Sequence, residues 1–406
     1  MIKRPTKNTS MMHRCCGGCV DALQSVVQKA TSNAGAAFVE YGALLIVDAN
    51  NEELGIIILL VGVLMITEVL MSNVIHETKR PPLLKREDGP WKIQHFHDGE
   101  IRERFGFDSA AELYRLYGVL HWPNQILVGR GVQSKQYIVS GEQAFLYMLE
   151  RDHCATKLSL MEFTYGDSYN SICEQVLAAE RWLVGNHSLR LTNIQAFYNR
   201  FPSYSAAIQV RIQKNGDQIP VEAKHIIGFL DRCSIRIAKP TGNWAFQRLF
   251  FNWKSQYHCL AYQSLCAPDG MHIHFYGPAA GKHNDRLLLG QSGVNGILEN
   301  LQRLPNGMLP PVIELFSAYT DRGYEDNTCI RAAHRGLLTT PHQIMCNMIL
   351  SPVRVAVEWG FARIRAMSKL MDSKANMHLQ GSSVDLHVKS AVILANARTT
   401  LRGSQG

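Results

Sequence analysis

The sequence predicts an α/β protein in which a mixed-sheet domain follows a mainly helical region. Three observations predict it. The length of 406 residues leaves room for at least two domains, at roughly 100–200 residues each. Hydrophobic residues at 46% and charged residues at 19% are globular proportions, which exclude a chain that is disordered or collagenous throughout. The pattern also changes near the turn Lys214-Asn215-Gly216-Asp217, from helical spacing before it to short apolar strands after it.

Lys and Arg number 42 against 34 Asp and Glu, a formal charge of +8. That balance favours a polyanionic partner without the charge density of a dedicated DNA-binding domain. Ten cysteines are too few for a disulfide scaffold, and the basic opening lacks the apolar stretch of a signal peptide, so a reducing compartment is expected.

Residues 1–37 read as a basic, disordered tail, with Lys3, Arg4, Lys7, Arg14 and Lys29 against Asp21 alone. Cys15, Cys16 and Cys19 beside His13 have no second ligand pair nearby, so they are not read as a zinc knuckle. Residues 38–104 read as an apolar helix and a linker. The uncharged run at 54–67 is 14 residues long, short of the roughly 20 a bilayer span needs, and Glu68 interrupts the apolar stretch that continues to residue 75. A buried or interface helix is the expectation; a membrane anchor through 54–75 is the alternative.

Residues 105–213 read as helical. Ser140 with Gln143 forms a capping box that opens one helix, a second spans 158–163, and Asp167 or Ser168 caps a third. Three short helices with the tight turn Tyr165-Gly166-Asp167 fit a helix-turn-helix reader or a plain bundle. Strands are expected at 225–230, ending in Asp231, at 258–266 and 271–276 around Pro268-Asp269-Gly270, and at 312–320, ending in Asp321. Thr340 with Gln343 caps a helix with Pro341 at its first position, and Ser351 caps another with Pro352 at its first position. Three strands, a helix, a strand and further helices fit a mixed sheet of ribonuclease H type, spanning 225–402.

Four carboxylates fall where chemistry could use them. Asp231 and Asp321 close strands, Asp285 opens a helix, and Glu358 lies on the last helix face with Arg354, Ala362, Arg365 and Lys369. Val357, Phe361 and Ile364 form the opposite, buried stripe. Clustered carboxylates repel unless a cation neutralises them, which makes them a hard-metal site. Each taken singly has a plainer reading: a strand-end Asp is usually a turn or cap residue, and Glu358 pairs naturally with Arg354, worth about 0.3–0.5 kcal/mol. The segment Gly277-Pro278-Ala279-Ala280-Gly281-Lys282-His283 imitates a P-loop but has three residues between its glycines instead of four, and His in place of Ser or Thr.

Residues 225–402 resemble the nuclease domain of Harbinger-type DDE transposases and the nucleases derived from them. The resemblance rests on Gly228-Phe229-Leu230-Asp231, Gln247-Arg248, Tyr257-His258, Pro268-Asp269-Gly270, the segment from Gly277 to Asp285, Asp321-Arg322-Gly323-Tyr324, VRVAVEWGFAR at 353–363, and the stretch 391–402. Upstream, Ser140-Gly141-Glu142-Gln143-Ala144-Phe145-Leu146 is similar to the helical region that precedes that nuclease. The resemblance implies metal-dependent DNA strand cleavage and transfer with Mg²⁺ or Mn²⁺. It places the catalytic triad on Asp231, Asp321 and Glu358, with Asp285 as a further metal ligand. Arg232, Lys282, Arg354 and Arg365 are then the candidate DNA contacts. It also implies a nuclear protein, a homo-oligomer, and a separate Myb-like DNA-binding partner. Two departures stand out: the Gly-Thr usual after the first Asp is Arg232-Cys233 here, and the Gly usual before the later Asp is Thr320. Arg232 sets a cation beside the site, as a phosphate contact or as the mark of a decayed copy. A domesticated, non-cleaving DNA- or protein-binding derivative is the rival reading.

Overall fold

The structure, a computed structural model, describes residues 89–129, 136–336, 339–372, 377–379 and 383–403. The expected tail at 1–37 and the apolar segment 54–75 lie outside the described residues. Among the described residues no helix is long and apolar enough to cross a membrane.

The chain enters through a short 3-10 turn, Ile93–His95, followed by α1 (Asp98–Phe105) and α2 (Ala110–Val119). A two-stranded ribbon of β1 (Gln125–Val128) and β2 (Tyr137–Ser140) leads into α3 (Gly141–Cys154), α4 (Leu158–Tyr165), α5 (Tyr169–His187) and α6 (Phe201–Lys214). Ser140 caps α3 as the sequence expects, accepting from the Gln143 amide nitrogen at 3.4 Å. The Gln143 side chain turns elsewhere: it donates to Asp167 at 3.0 Å and accepts from the Trp91 backbone at 3.0 Å. Asp167 also accepts from Tyr147 at 2.9 Å and Gln175 at 3.2 Å, so the tight turn after α4 is tied to α3 and α5. Gly166 ends α4 at φ 79°, a left-handed position that favours glycine.

The second half is built on a mixed sheet. Its strands are β3 (Ile226–Arg236), β4 (Phe251–Asn252), β5 (Tyr257–Cys266), β6 (His272–Ala280), β7 (Ser317–Thr320) and β8 (Ile330–Ala332). Helix α7 (Trp244–Phe250) precedes β4; α8 (Asp285–Ser292) and α9 (Val294–Leu301) separate β6 from β7; α10 (Pro341–Met367) and α11 (Val384–Arg402) close the chain. Strands β3, β5 and β6 pair antiparallel, whereas β7 runs parallel to β3 and β8 parallel to β7. The order across the sheet is therefore β6-β5-β3-β7-β8, with β4 paired to the start of β5.

Both faces of β3 are apolar, as a central strand requires. Phe229, Cys233 and Ile235 join the core that contains α10, α11 and the helices before the sheet. Ile227 and Leu230 join a second core with Leu289 of α8 and Leu298 of α9. The first core runs without interruption from Ile93 to Ala397, so the helices ahead of the sheet and the last two helices share one apolar interior.

Three expectations are corrected. Asp231 does not end its strand: β3 continues to Arg236, because β5 supplies an unbroken antiparallel partner from Phe229↔Cys266 to Arg236↔Cys259. Residues 312–320 are not one strand; a 3-10 turn at Val312–Glu314 precedes the four-residue β7. Ser351 and Pro352 do not start a helix, since α10 runs through them. Proline at position 352 removes the bond to the carbonyl four residues earlier, at an interior cost of about 3 kcal/mol. The buried row Ile349, Leu350, Val353 and Val357 packs continuously on both sides and outweighs that loss. Pro352 itself is exposed. Pro352→Ala is accordingly expected to stabilise the protein by about 1–3 kcal/mol, read as a higher urea midpoint with unchanged slope.

Candidate active site

The sheet register builds the site. Phe229 of β3 sits beside Tyr319 of β7 in the parallel pair. Two residues further along each strand, that register brings Asp231 next to Asp321. Asp285 arrives from the other side as the first residue of α8, whose N-cap Asn284 accepts from the Leu287 amide at 2.9 Å. The Asp321 carboxylate accepts from the Gly323 amide at 2.8 Å, a local turn that holds it at the strand end. Gly323 is needed there. A Cβ on it would lie 2.6 Å from Asp285 Oδ2 and 3.0 Å from Asp321 Oδ1, so the two carboxylates approach across a bare backbone.

The charges are crowded. Burial, opposed by the Arg232 amide and the Arg354 guanidinium and reinforced by Asp321 and Asp285, pushes the Asp231 carboxyl up to about 6. Burial also raises Asp285, with Asp321 adding to the rise and Arg232 and Lys254 opposing it. Tyr324, directly after Gly323, is 1% exposed and lies in the field of all three aspartates.

Two guanidiniums answer part of this charge. Arg354 on α10 donates to Asp231 Oδ2 at 3.0 Å and to Glu358 Oε1 at 3.4 Å. Arg232 donates to the Gly281 carbonyl at 2.9 Å and stands 3.9 Å from Asp285. Glu358 is thus joined to the aspartates through Arg354, with its side chain 56% exposed. On α10 the predicted face is present: Arg354 is half-buried and Glu358, Ala362 and Arg365 are exposed, while Val357, Phe361 and Ile364 are buried. Lys369 lies past the end of the helix. Lys282 is exposed in the turn that follows β6. Arg365 sits against the Cys233 thiol, two turns along α10 from Glu358. The P-loop imitation is the end of β6 and its turn, and Gly281 packs so closely that a Cβ would meet the Phe250 and Cys259 carbonyl oxygens.

The structure therefore brings Asp231, Asp285 and Asp321 together, attaches Glu358 through one arginine, and leaves Lys282 and Arg365 on the surface. Sequence reasoning missed Gly323 as the spacer, Tyr324 beneath the acids and Lys254 facing Asp285. The first two carry a signal in the DRGY string; Lys254 carries none. Among the described residues, the groups of three or more whose ligand atoms lie within 4.8 Å of one another are elsewhere: Glu222, His342 and Cys346, and Asp152, Glu180 and His387.

Residues 230–396 match a family model described as DDE superfamily endonuclease, a span that takes in all four acids. That match supports a DDE transposase-type family for this part of the chain and suggests a nuclease or transposase acting on DNA. No curated protein and no solved structure matches the chain. DDE superfamily nucleases generally use divalent metals. The donor set fits such an ion: Asp231, Asp285 and Asp321 offer only hard oxygens, and their mutual repulsion is the condition a cation relieves.

Proposed function

We propose that this protein is a metal-dependent DNA endonuclease or transposase of the DDE class. The carrying observation is the convergence of Asp231 in the middle of β3, Asp321 just past the end of its parallel neighbour β7 and Asp285 at the start of α8, within the segment that matches the endonuclease family. We read the strand order β6-β5-β3-β7-β8, three antiparallel strands followed by two parallel ones, as ribonuclease H-like. The Harbinger kind is the finer reading, supported by the motifs at 228–231, 277–285 and 321–324. With it come a nuclear site of action, self-association and a Myb-like DNA-binding partner.

In this reading Asp231, Asp285 and Asp321 hold Mg²⁺ or Mn²⁺, and Glu358 completes the acid set. The ion supplies charge neutralisation at the scissile phosphate and activation of the attacking hydroxyl group. Arg354 links Asp231 to Glu358 and presents a planar donor to a phosphate oxygen, the geometry guanidinium suits best. Arg232 opposes the upward push that burial gives the Asp285 carboxyl. Lys282 and Arg365, both exposed, track the backbone of the DNA on the surface.

One observation favours the rival, a non-cleaving derivative: Arg354 already satisfies Asp231, and Glu358 points to solvent. Nicking by the parent protein separates the two, and Glu358→Gln with Arg354→Gln then tests the place of Glu358 in the acid set. If Glu358 only pairs with Arg354, Glu358→Gln costs about 0.3–0.5 kcal/mol and leaves cleavage unchanged, while Arg354→Gln costs more because it also releases Asp231. On the proposed function, Glu358→Gln stops nicking with DNA binding intact, and Arg354→Gln retains metal-dependent nicking. Unimpaired nicking by Glu358→Gln removes it from the catalytic set.

A further inference from the structure

We propose that Glu222, His342 and Cys346 form a second metal site, chemically distinct from the aspartate cluster and suited to a borderline-soft divalent cation of the zinc class. His342 and Cys346 stand four residues apart on α10 and so project from one face of its first turns. Glu222 comes from the 3-10 turn Val221–Ala223, three residues before β3. The chain separations, 120 residues to His342 and 124 to Cys346, make this a meeting created by the fold.

The geometry is the argument. The His342 Nε2 to Glu222 Oε1 distance is 2.9 Å, Cys346 Sγ to Glu222 Oε2 is 3.5 Å, and Cys346 Sγ to His342 Nε2 is 3.6 Å. Around a tetrahedral zinc ion, with N and O ligands about 2.0–2.2 Å away and S about 2.3 Å away, ligand atoms stand roughly 3.3–3.6 Å apart. The sulfur–nitrogen distance already meets that spacing, and so does the sulfur distance to Glu222 Oε2, the carboxylate oxygen that His342 does not contact, so the carboxylate must turn to offer one oxygen to a shared ion. The nitrogen–oxygen pair need open by only about 0.4 Å, within the freedom of two side chains that are 54% and 38% exposed.

The donor types set the class of ion. One nitrogen, one sulfur and one carboxylate favour zinc over magnesium, whereas the all-oxygen cluster at Asp231 favours magnesium or manganese. Cys346 is 2% exposed, and metal binding would displace its thiol proton. The site would clamp the start of α10 to the segment that enters β3. It would thereby fix from outside the two elements that carry Arg354, Glu358 and Asp231. It is a positioning site with no part in the reaction.

The test is a cobalt titration of the full-length chain after chelator treatment, in a Cys15→Ser/Cys16→Ser/Cys19→Ser background so that the N-terminal thiols do not contribute. Cobalt stands in for zinc and reports a sulfur ligand by a thiolate-to-metal charge-transfer band. The proposal expects such a band at one equivalent, displaced by Zn²⁺ and not by Mg²⁺. Cys346→Ser should abolish it. His342→Ala, at an exposed position that does not threaten folding, should weaken binding at least tenfold. Asp231→Asn should leave it unchanged. No band in the parent protein, or the same band and affinity in both Cys346→Ser and His342→Ala, overturns the site and shows a hydrogen-bonded triad only.

Discussion

Asp231→Asn is expected to slow metal-dependent strand cleavage by at least about 10³-fold, roughly 4 kcal/mol of transition-state stabilisation, while leaving the fold at least as stable at pH 8. The two effects part because the site holds Asp231 against its own preference. Burial, with Asp321 and Asp285 behind it, raises its carboxyl from an ordinary 3.8 to about 6 despite Arg354. A group raised in the folded state contributes stability that is complete below its unfolded value and lost as pH rises through the folded one. For Asp231 that window runs from about 3.8 to about 6, so at pH 8 the ionised carboxylate is a cost that asparagine removes. Protons also compete with a cation for the same oxygens, so Mn²⁺ affinity should fall as pH drops through about 6. Nicking rates, urea melts and calorimetry measure the three quantities. An Asp231→Asn protein that nicks within tenfold of the parent contradicts the assignment.

His387→Ala is expected to cost about 3–5 kcal/mol of folding stability without touching the active site. His387 on α11 pairs through Nδ1 with Glu180 of α5, and Asp152 of α3 lies beside them. Glu180 and Asp152 are both 0% exposed. Removing the imidazole leaves two buried carboxylates facing each other with Arg151 as the nearby cation. The pair is pH-sensitive in a defined direction. Burial lowers the His387 imidazole, but Glu180 and Asp152 outweigh it and raise the group to about 9. Its contribution is therefore complete below its ordinary 6.5 and lost as pH rises through about 9. Burial and Glu180 push the Asp152 carboxyl upward as well. Urea midpoints at pH 6 and pH 10 should differ strongly in the parent and weakly in His387→Ala. An equal drop in both proteins would place the pH sensitivity elsewhere.

The same long-range pairings show what the sequence could reveal. The capping residues Ser140, Ser168 and Thr340 were legible because caps are local, set by a side chain and an amide three residues away. So were β5 and β6 around Pro268-Asp269-Gly270, and the carboxylates at 231, 285 and 321 through their motifs. The length of β3 was not, because the antiparallel partner β5 decides how far it runs, and a charged residue in mid-strand looks like an end. The passage of α10 through Pro352 was hidden for a similar reason: a buried stripe on both sides overrode a local stop signal. The hold of Arg354 on Asp231 spans 123 residues, and that of His387 on Glu180 spans 207, distances at which spacing carries no information. Periodicity put Arg354 and Glu358 on one helix face, and only the packed sheet shows that Arg354 reaches across to the first aspartate.

A nicking assay on supercoiled plasmid with the full-length chain tests the central claim most directly, run in Mg²⁺, in Mn²⁺ and in chelator, beside the double variant Asp231→Asn/Asp321→Asn. The proposed function predicts nicked circles in either metal, none in chelator and none from the double variant. Plasmid left intact by the parent protein in both metals, or nicked equally by the double variant, would contradict it.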